Sequence, residues 1–421
     1  MTIERERPSR PVGLRILALI LSSALWAPAL RAQPASVGFG AKNRVLLSDG
    51  RLLDGQVTAL DGSELTISGA GGELATVPAG ELVAIHGVAA ESKRSARALL
   101  VGGEELRGEV LGGDEYGDTF LLGSTVLGQR RVALDRLEML IFEPPEGVEP
   151  IDPERLELPE DADEVLFLRT DRGFDRLVGE VYRFTRRSIR FQSDTEEEPV
   201  GRRFRELVGF GLRGGFERED EPTHILTTRT GDRIGIGEPA LRDGRLAFTA
   251  EGGESIEIEF TDVTALVALG EGRQFLSSCE LQNVEQSSWF GDGSAPLFPL
   301  RVDRAVDGSL LSVARLGGGT GLGVHSKTSF EVVVPEGVTG LVGTFGIDDS
   351  AEQLSVRACV DVFVEHDGAR LFEQSALRIG RLVSLGRLEV EPGQVLRFVV
   401  DFGPGLDLGD RVDWIDVAFV R

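Results

Sequence analysis

The sequence predicts an all-β protein in which a run of small, strongly bent sheets is followed by an antiparallel sandwich. Three observations carry this. Apolar and polar residues alternate with period two along most of the chain, and no stretch sustains the 3.6-residue period of an amphipathic helix. Short apolar runs are punctuated by turn pairs such as Asp49-Gly50 and Gly102-Gly103. From Phe275 onward the texture changes to longer Val, Phe and Leu strands, as in Ser329–Val334 and Val356–Val364. At 421 residues the chain exceeds one ordinary core, so several domains are expected.

The first element, residues 1–32, reads as an export signal. Arg5, Arg7, Arg10 and Arg15 precede the apolar run Ile16–Leu25, and Ala27-Pro28-Ala29-Leu30-Arg31-Ala32 supplies small residues, with cleavage expected after Ala29 or Ala32. The run is about ten residues against the roughly twenty that span a bilayer, so membrane insertion is not expected. The expected location is secreted, or periplasmic within the cell envelope. A formal net charge of −24 argues against nucleic acid and anionic membranes as partners, since either polyanion is repelled.

Between Arg44 and Gly270 one theme recurs four times: a short apolar strand, a Gly turn, a second Gly with a strand, another strand, and a closing apolar run. The units are 41–90, 95–142, 164–215 and 223–270. The first shows Val45-Leu46-Leu47, Gly55-Gln56-Val57, Leu65-Thr66-Ile67 and Leu82-Val83-Ala84-Ile85. The second repeats it with Ala98-Leu99-Leu100, Gly108-Glu109-Val110, Phe120-Leu121-Leu122 and Leu137–Ile141. The third has Val165–Leu168, Gly179-Glu180-Val181, Ile189-Arg190-Phe191 and Leu207-Val208. The fourth, the loosest copy, has Ile225-Leu226-Thr227, Leu246-Ala247-Phe248 and Val263–Val267. These units resemble SH3-like or Sm-like small β-barrels, which serve as spacers or as docking surfaces for protein partners. An acidic, proline-rich stretch at 143–163 reads as a linker, because proline fixes φ and removes donors. Glu217–Pro222 reads as a short exposed loop kept solvated by charge.

The last segment, 275–421, carries an ordered set of landmarks. They are Phe275-Leu276-Ser277-Ser278, Pro299–Gly308, Gly321-Leu322-Gly323-Val324-His325-Ser326, Gly343–Asp349, Glu365–Gly368 and Asp410–Asp416. This segment resembles the NPCBM family, also classed as carbohydrate-binding module family fifty-one. The resemblance implies a galactose-binding-like jelly-roll β-sandwich whose rim loops hold sugar. Ser326 stands where family members carry Ala, and the insertion Leu281–Ala295 lies outside the family pattern.

Sugar recognition needs carboxylates and amides for vicinal hydroxyls and an aromatic face for the ring. The candidate ligand-binding residues are His325, Asp348, Asp349, Trp289 and Trp414. Each has a plainer reading: His325 stapling a turn, one of Asp348 and Asp349 capping the next turn, Trp414 packing in the core. Trp289 and Phe290 occupy a Ser- and Gly-rich loop, where an exposed platform is as natural as burial. Asp367-Gly368 is first a hairpin turn. Asp401, Asp407, Asp410 and Asp413 offer oxygens to calcium but meet no fixed calcium-loop spacing, so no cofactor is required. Cys279 and Cys359, the two cysteines, form a disulfide or remain as two buried thiols.

No Gly-x-Ser-x-Gly, His-Glu-x-x-His, Cys-x-x-Cys or phosphate-loop motif occurs, and the histidines are dispersed, so an enzyme is not expected. The sequence thus points to an exported, non-catalytic protein that binds carbohydrate or a glycoprotein surface. The alternative is a cell-envelope structural or protein-interaction protein whose sandwich has no sugar site.

Overall fold

In the computed structural model the described residues are 43–89, 95–145, 148, 151–218, 220–289, 298–354 and 357–421. Residues 1–32, expected from the sequence to be an export signal, and Phe290 lie outside them. Among the described residues the regular elements are strands and 3-10 turns, the longest turn being Asp349–Gln353. The period-two alternation of the sequence is therefore the dominant structural signal.

Residues 43–268 form four successive groups of five antiparallel strands. In the first, Asn43–Leu47, Leu52–Leu60, Glu64–Ser68 and Leu74–Pro78 run as a meander, and Leu82–His86 returns beside the first strand. The order across the sheet is thus fifth, first, second, third, fourth. The other three groups repeat that order. A 3-10 turn precedes each closing strand, at Ala79–Glu81, Leu134–Arg136, Phe204–Glu206 and Phe260–Asp262.

The recurring second glycine has a steric cause. A Cβ built on Gly55, Gly108 or Gly179 would lie 2.6, 2.4 or 2.0 Å from the carbonyl oxygen of Ser68, Gly123 or Gln192. Only glycine lets the long second strand bend so closely over the third, and a bulge follows in each case. The sequence motif contains four strands per unit where the structure has five. The additional strands, such as Leu74–Pro78 and Val200–Arg203, are largely exposed edges with little apolar signal. In the fourth unit the strand Arg233–Arg242 is masked in the sequence by Pro239 and by Glu238, whose φ is 49°, at a bulge between Gly237 and Ala240.

The units associate through their closing strands in a nested manner. Leu82–His86 of the first pairs antiparallel with Val263–Ala268 of the fourth, and Leu137–Ile141 of the second with Leu207–Leu212 of the third. The stretch expected to be a linker is docked: Leu156 and Ala162 bury among Met139, Val165, Phe167 and Val208, and Asp152 pairs with Arg301. The loop around Glu217–Pro222 is pinned as well. Arg218 donates to Glu104 and to the Gly235 carbonyl, both at 2.8 Å, and to Asp220 at 2.9 Å.

The segment from Arg273 onward is a sandwich of two antiparallel sheets. One sheet orders Arg301–Val302, Gly321–His325, Arg411–Val420, Gly340–Ile347 and Val383–Ser384, with Arg273–Phe275 added along Arg411–Val420. The other orders Gln282–Gln286, Thr328–Val333, Val395–Phe402, Cys359–His366 and Ala369–Arg378. Trp414 lies between them, edge-on to Phe398 at 5.4 Å and against Phe345 at 4.9 Å. Asp367 and Gly368, with φ of 48° and 74°, turn the hairpin between Cys359–His366 and Ala369–Arg378. The disulfide alternative is corrected: Cys279 and Cys359 are free thiols. Cys279 follows a turn packed on the sheet of Gly321–His325 and Arg411–Val420 and bonds the Phe275 carbonyl, whereas Cys359 opens a strand of the opposite sheet.

Sandwich and tandem units share an apolar interface of Leu46, Val83, Ala84, Val267, Phe275, Val342, Ala418 and Val420. Beside it Glu105, fully buried, receives Arg97 at 2.8 Å, Arg107 at 2.5 Å and Arg304 of the sandwich. Burial alone would raise the Glu105 carboxyl, but Arg304, Arg107 and Arg97 overcome it and hold the group at about 2. Because the folded value is depressed, the stability it contributes is present above the ordinary 4.5 and is lost as pH falls through about 2. Glu105→Gln leaves three guanidinium groups without their carboxylate and is expected to cost about 3–5 kcal/mol. Calorimetric unfolding checks this, and a variant with unchanged stability and an unchanged acid limb refutes it.

Candidate functional site

Three segments of the sandwich converge at one rim. Asp307 opens the turn at Gly308 by accepting the Ser309 N–H at 3.0 Å. Asp348 ends the strand Gly340–Ile347 and caps the turn Asp349–Gln353, accepting the Ser350 N–H at 2.9 Å. Arg411 begins the central strand and donates to Asp307 at 3.0 Å and to the Ser350 hydroxyl at 2.8 Å. Asp349 accepts the Ser312 hydroxyl and the Arg315 N–H, the latter at 2.8 Å.

These side chains line a cleft of about 730 Å³. Its far wall comes from the tandem units, through Ala89, Thr227 and Thr264, and Asp307 and Ser309 stand exposed at its mouth. The described lining is polar and aliphatic, with carboxylates, hydroxyls and one guanidinium at hand for vicinal hydroxyl groups. Under the cleft Asp413, fully buried, accepts the Ser312 N–H at 3.0 Å. One oxygen each of Asp413 and Asp348 takes no donor from any other described residue, and the two carboxyls hydrogen-bond each other. Burial and the Asp348 charge push Asp413 well above the carboxylate range, which favours one proton held between the two hydrogen-bonded carboxyls.

The sequence candidates divide accordingly. Asp348 and Asp349 meet in the cleft, and Asp348 also serves as the turn cap. His325 sits beside it: its ring stacks on Phe298 at 4.8 Å, and the Arg411 guanidinium lies 5.3 Å over the same Phe298 ring. Burial keeps the imidazole below its usual value, hence neutral at pH 7. Trp289 is 45% exposed, packs edge-on to Phe402 and donates its backbone N–H to Asp407 at 2.9 Å; the Asp407 charge in turn acts on His325. Trp414 is corrected: at 0% exposure between the sheets it has no face for a ligand.

The four aspartates offered to calcium do not converge. Asp401 pairs with Lys327 at 3.3 Å, Asp410 accepts the Cys359 N–H and Ser326 hydroxyl at 2.9 Å, and Asp407 and Asp413 are engaged as above. Among the described residues no group of three His, Cys, Asp or Glu side chains is arranged to hold a metal ion. Sequence reasoning missed Asp307, Ser350 and Arg411. Asp307 and Arg411 stood inside landmarks of the family resemblance, whereas Ser350 carried no signal.

Residues 273–420 match the family model of the NPCBM/NEW2 domain. No curated protein matches the chain. Among solved structures, CBM51 from Clostridium perfringens GH95 in complex with methyl-galactose aligns at 18% identity over 35% of this chain and 99% of that one, with a TM-score of 0.30. The CBM51-2 and INT domains of Clostridium perfringens ZmpB, in complex with GlcNAc, align at 23% identity over 45% of this chain and 38% of that one, TM-score 0.30. The tandem CBM51 modules of the Streptococcus pneumoniae family 98 glycoside hydrolase align at 11% identity over 86% and 93%, TM-score 0.30. The assignment of residues 273–420 rests on the family match rather than on these low-scoring likenesses.

The shared proton gives the site a pH signature. Since the folded value of Asp413 is raised, the pair's contribution to stability is complete below 3.8 and drains away as pH rises through the raised value. Asp413→Asn keeps a donor and cannot ionise. Its melting temperature relative to the parent protein is expected to rise as pH increases above 3.8 and through the raised value. Parallel melting curves across that range count against the shared proton.

Proposed function

With an NPCBM/NEW2 domain at residues 273–420, we propose that this protein is an exported, non-catalytic carbohydrate-binding protein whose sugar seat is the cleft at Asp307, Asp348, Asp349, Ser350 and Arg411. The observation that carries the reading is the convergence of carboxylates, a hydroxyl and a guanidinium in one open cleft at the sandwich rim. Charged groups hydrogen-bond sugar hydroxyls strongly, and the Asp307–Arg411–Ser350 contacts hold them in place before a ligand arrives.

The ligand extends, in this reading, from the cleft along Phe298 and His325 to the exposed Trp289, because Arg411 and His325 both lie on the Phe298 ring and the charge of Asp407, which accepts the Trp289 backbone N–H, acts on His325. The four preceding units, taken as SH3-like or Sm-like barrels at 41–90, 95–142, 164–215 and 223–270, present the module and supply one wall of the cleft. Export through residues 1–32 is part of the proposal and is tested by N-terminal sequencing of the protein recovered from the envelope or medium.

The binding test is a glycan array followed by titration calorimetry with the full chain. Asp307→Ala is expected to weaken binding of any captured glycan by roughly tenfold to a hundredfold, the worth of one or two charge-assisted hydrogen bonds. Trp289→Ala is expected to weaken oligosaccharides by about threefold to tenfold and to spare monosaccharides. A folded protein that captures no glycan overturns the reading in favour of a structural or protein-interaction role.

A further inference from the structure

We infer that the tandem β units carry a second ligand site, for a small organic molecule bearing two or more adjacent phosphate, sulfate or carboxylate groups. The site is a cleft of about 870 Å³ between the second and third units, with one wall from the fourth at Thr230. Five arginines line it, Arg107, Arg186, Arg187, Arg203 and Arg205, against two acids, Glu109 and Glu143. In a chain of net charge −24 such a local excess of guanidinium groups runs against the average of the surface.

Arg107 is held by Glu105 at 2.5 Å. Arg186 meets Glu109, and Arg205 meets Glu206, only at 3.8 Å and with both arginine side chains 70% exposed, where ion pairs contribute little. The guanidinium groups of Arg187 and Arg203, both exposed, have no carboxylate partner among the described residues, Glu206 meeting only the Arg203 backbone N–H at 3.4 Å. Each planar guanidinium presents paired N–H groups that match the oxygens of phosphate, sulfate or carboxylate.

The arginines are placed by backbone structure. Phe204 donates its N–H to the Arg187 carbonyl at 3.0 Å, and Ser188 pairs with Arg203 across neighbouring strands, so the two arginine-bearing segments are fixed side by side. The Phe204 ring, half-buried, stacks on Phe142 at 4.6 Å with a 15° tilt and gives the cleft a flat apolar patch. The volume suits a drug-sized ligand. A long polyanion such as nucleic acid would leave the cleft and run over an acidic surface, whereas a compact anion keeps its charge inside.

The experiment is titration calorimetry of the full chain with inorganic tripolyphosphate, sucrose octasulfate and citrate, at about 50 mM and about 300 mM sodium chloride. At least one probe is expected to bind, more weakly at the higher salt, and the preferred probe identifies the anionic group. The double variant Arg187→Gln/Arg203→Gln is expected to lose about tenfold or more in affinity. Hydrogen exchange at residues 185–188 and 203–206 of the unaltered protein is expected to slow with the bound probe, a readout independent of the variant's folding. Failure of all three probes, equal binding by the double variant, or exchange protection confined to other segments overturns the assignment. A single-stranded oligonucleotide binding tighter than every probe overturns the small-ligand class.

Discussion

The strand Arg411–Val420 is buried on both faces from Val412 to Val420, and the rest of the molecule is arranged around that constraint. An antiparallel sandwich normally leaves one face of each sheet to water. Here Val412, Trp414, Val417 and Phe419 enter the sandwich core, while Ala418 and Val420 pack against Leu46, Val83 and Val267 of the tandem units. The inward phase shifts by one residue between Trp414 and Val417, where Asp416 has a φ of 49° and the pairing with the neighbouring strand slips between Val342 and Thr344.

Two carboxylates on this strand are thereby deprived of solvent, and each is answered differently. Asp416 takes the Thr320 N–H and hydroxyl on one oxygen, and His86 of the first unit approaches the other at 3.4 Å. Burial lowers His86 and raises Asp416, so the contact favours its neutral form. Asp413 is answered by Asp348. Together with Glu105, which accepts arginines from both sides of the interface, these contacts make the sandwich and the fourfold array one structural body. The rim cleft belongs to that body, since Thr227 and Thr264 close what Asp307 and Arg411 open.

Much of the fold was legible because its signals are local. Alternation, Asp-Gly turns and the second glycine of each repeat report on backbone geometry within a few residues, and they located the strands and the change of texture near Phe275. The fourth strands were illegible because edge strands such as Val200–Arg203 have little apolar burial to write into the sequence. The docking of 151–163 was hidden for the opposite reason: Leu156 and Ala162 are too sparse among prolines and acids to announce a core. At the site, Asp348 and Asp349 were visible as paired acids ending a strand. Arg411 was not, because its role depends on Asp307, 104 residues away in sequence. The run Asp413-Trp414-Ile415-Asp416 looked like a strand with a wet side; the tandem units had taken the water's place.

The nested pairing of closing strands also sets an order in time. The second and third units complete each other once Leu212 has left the ribosome, since Leu137–Ile141 then finds Leu207–Leu212. The edge Leu82–His86 must wait, unpartnered, for Val263–Ala268 and then for the sandwich strand that covers it. An open, apolar strand edge is an invitation to pair with another chain. The first unit therefore keeps one strand edge open until the fourth unit, about 180 residues further along the chain, is in place to pair with it.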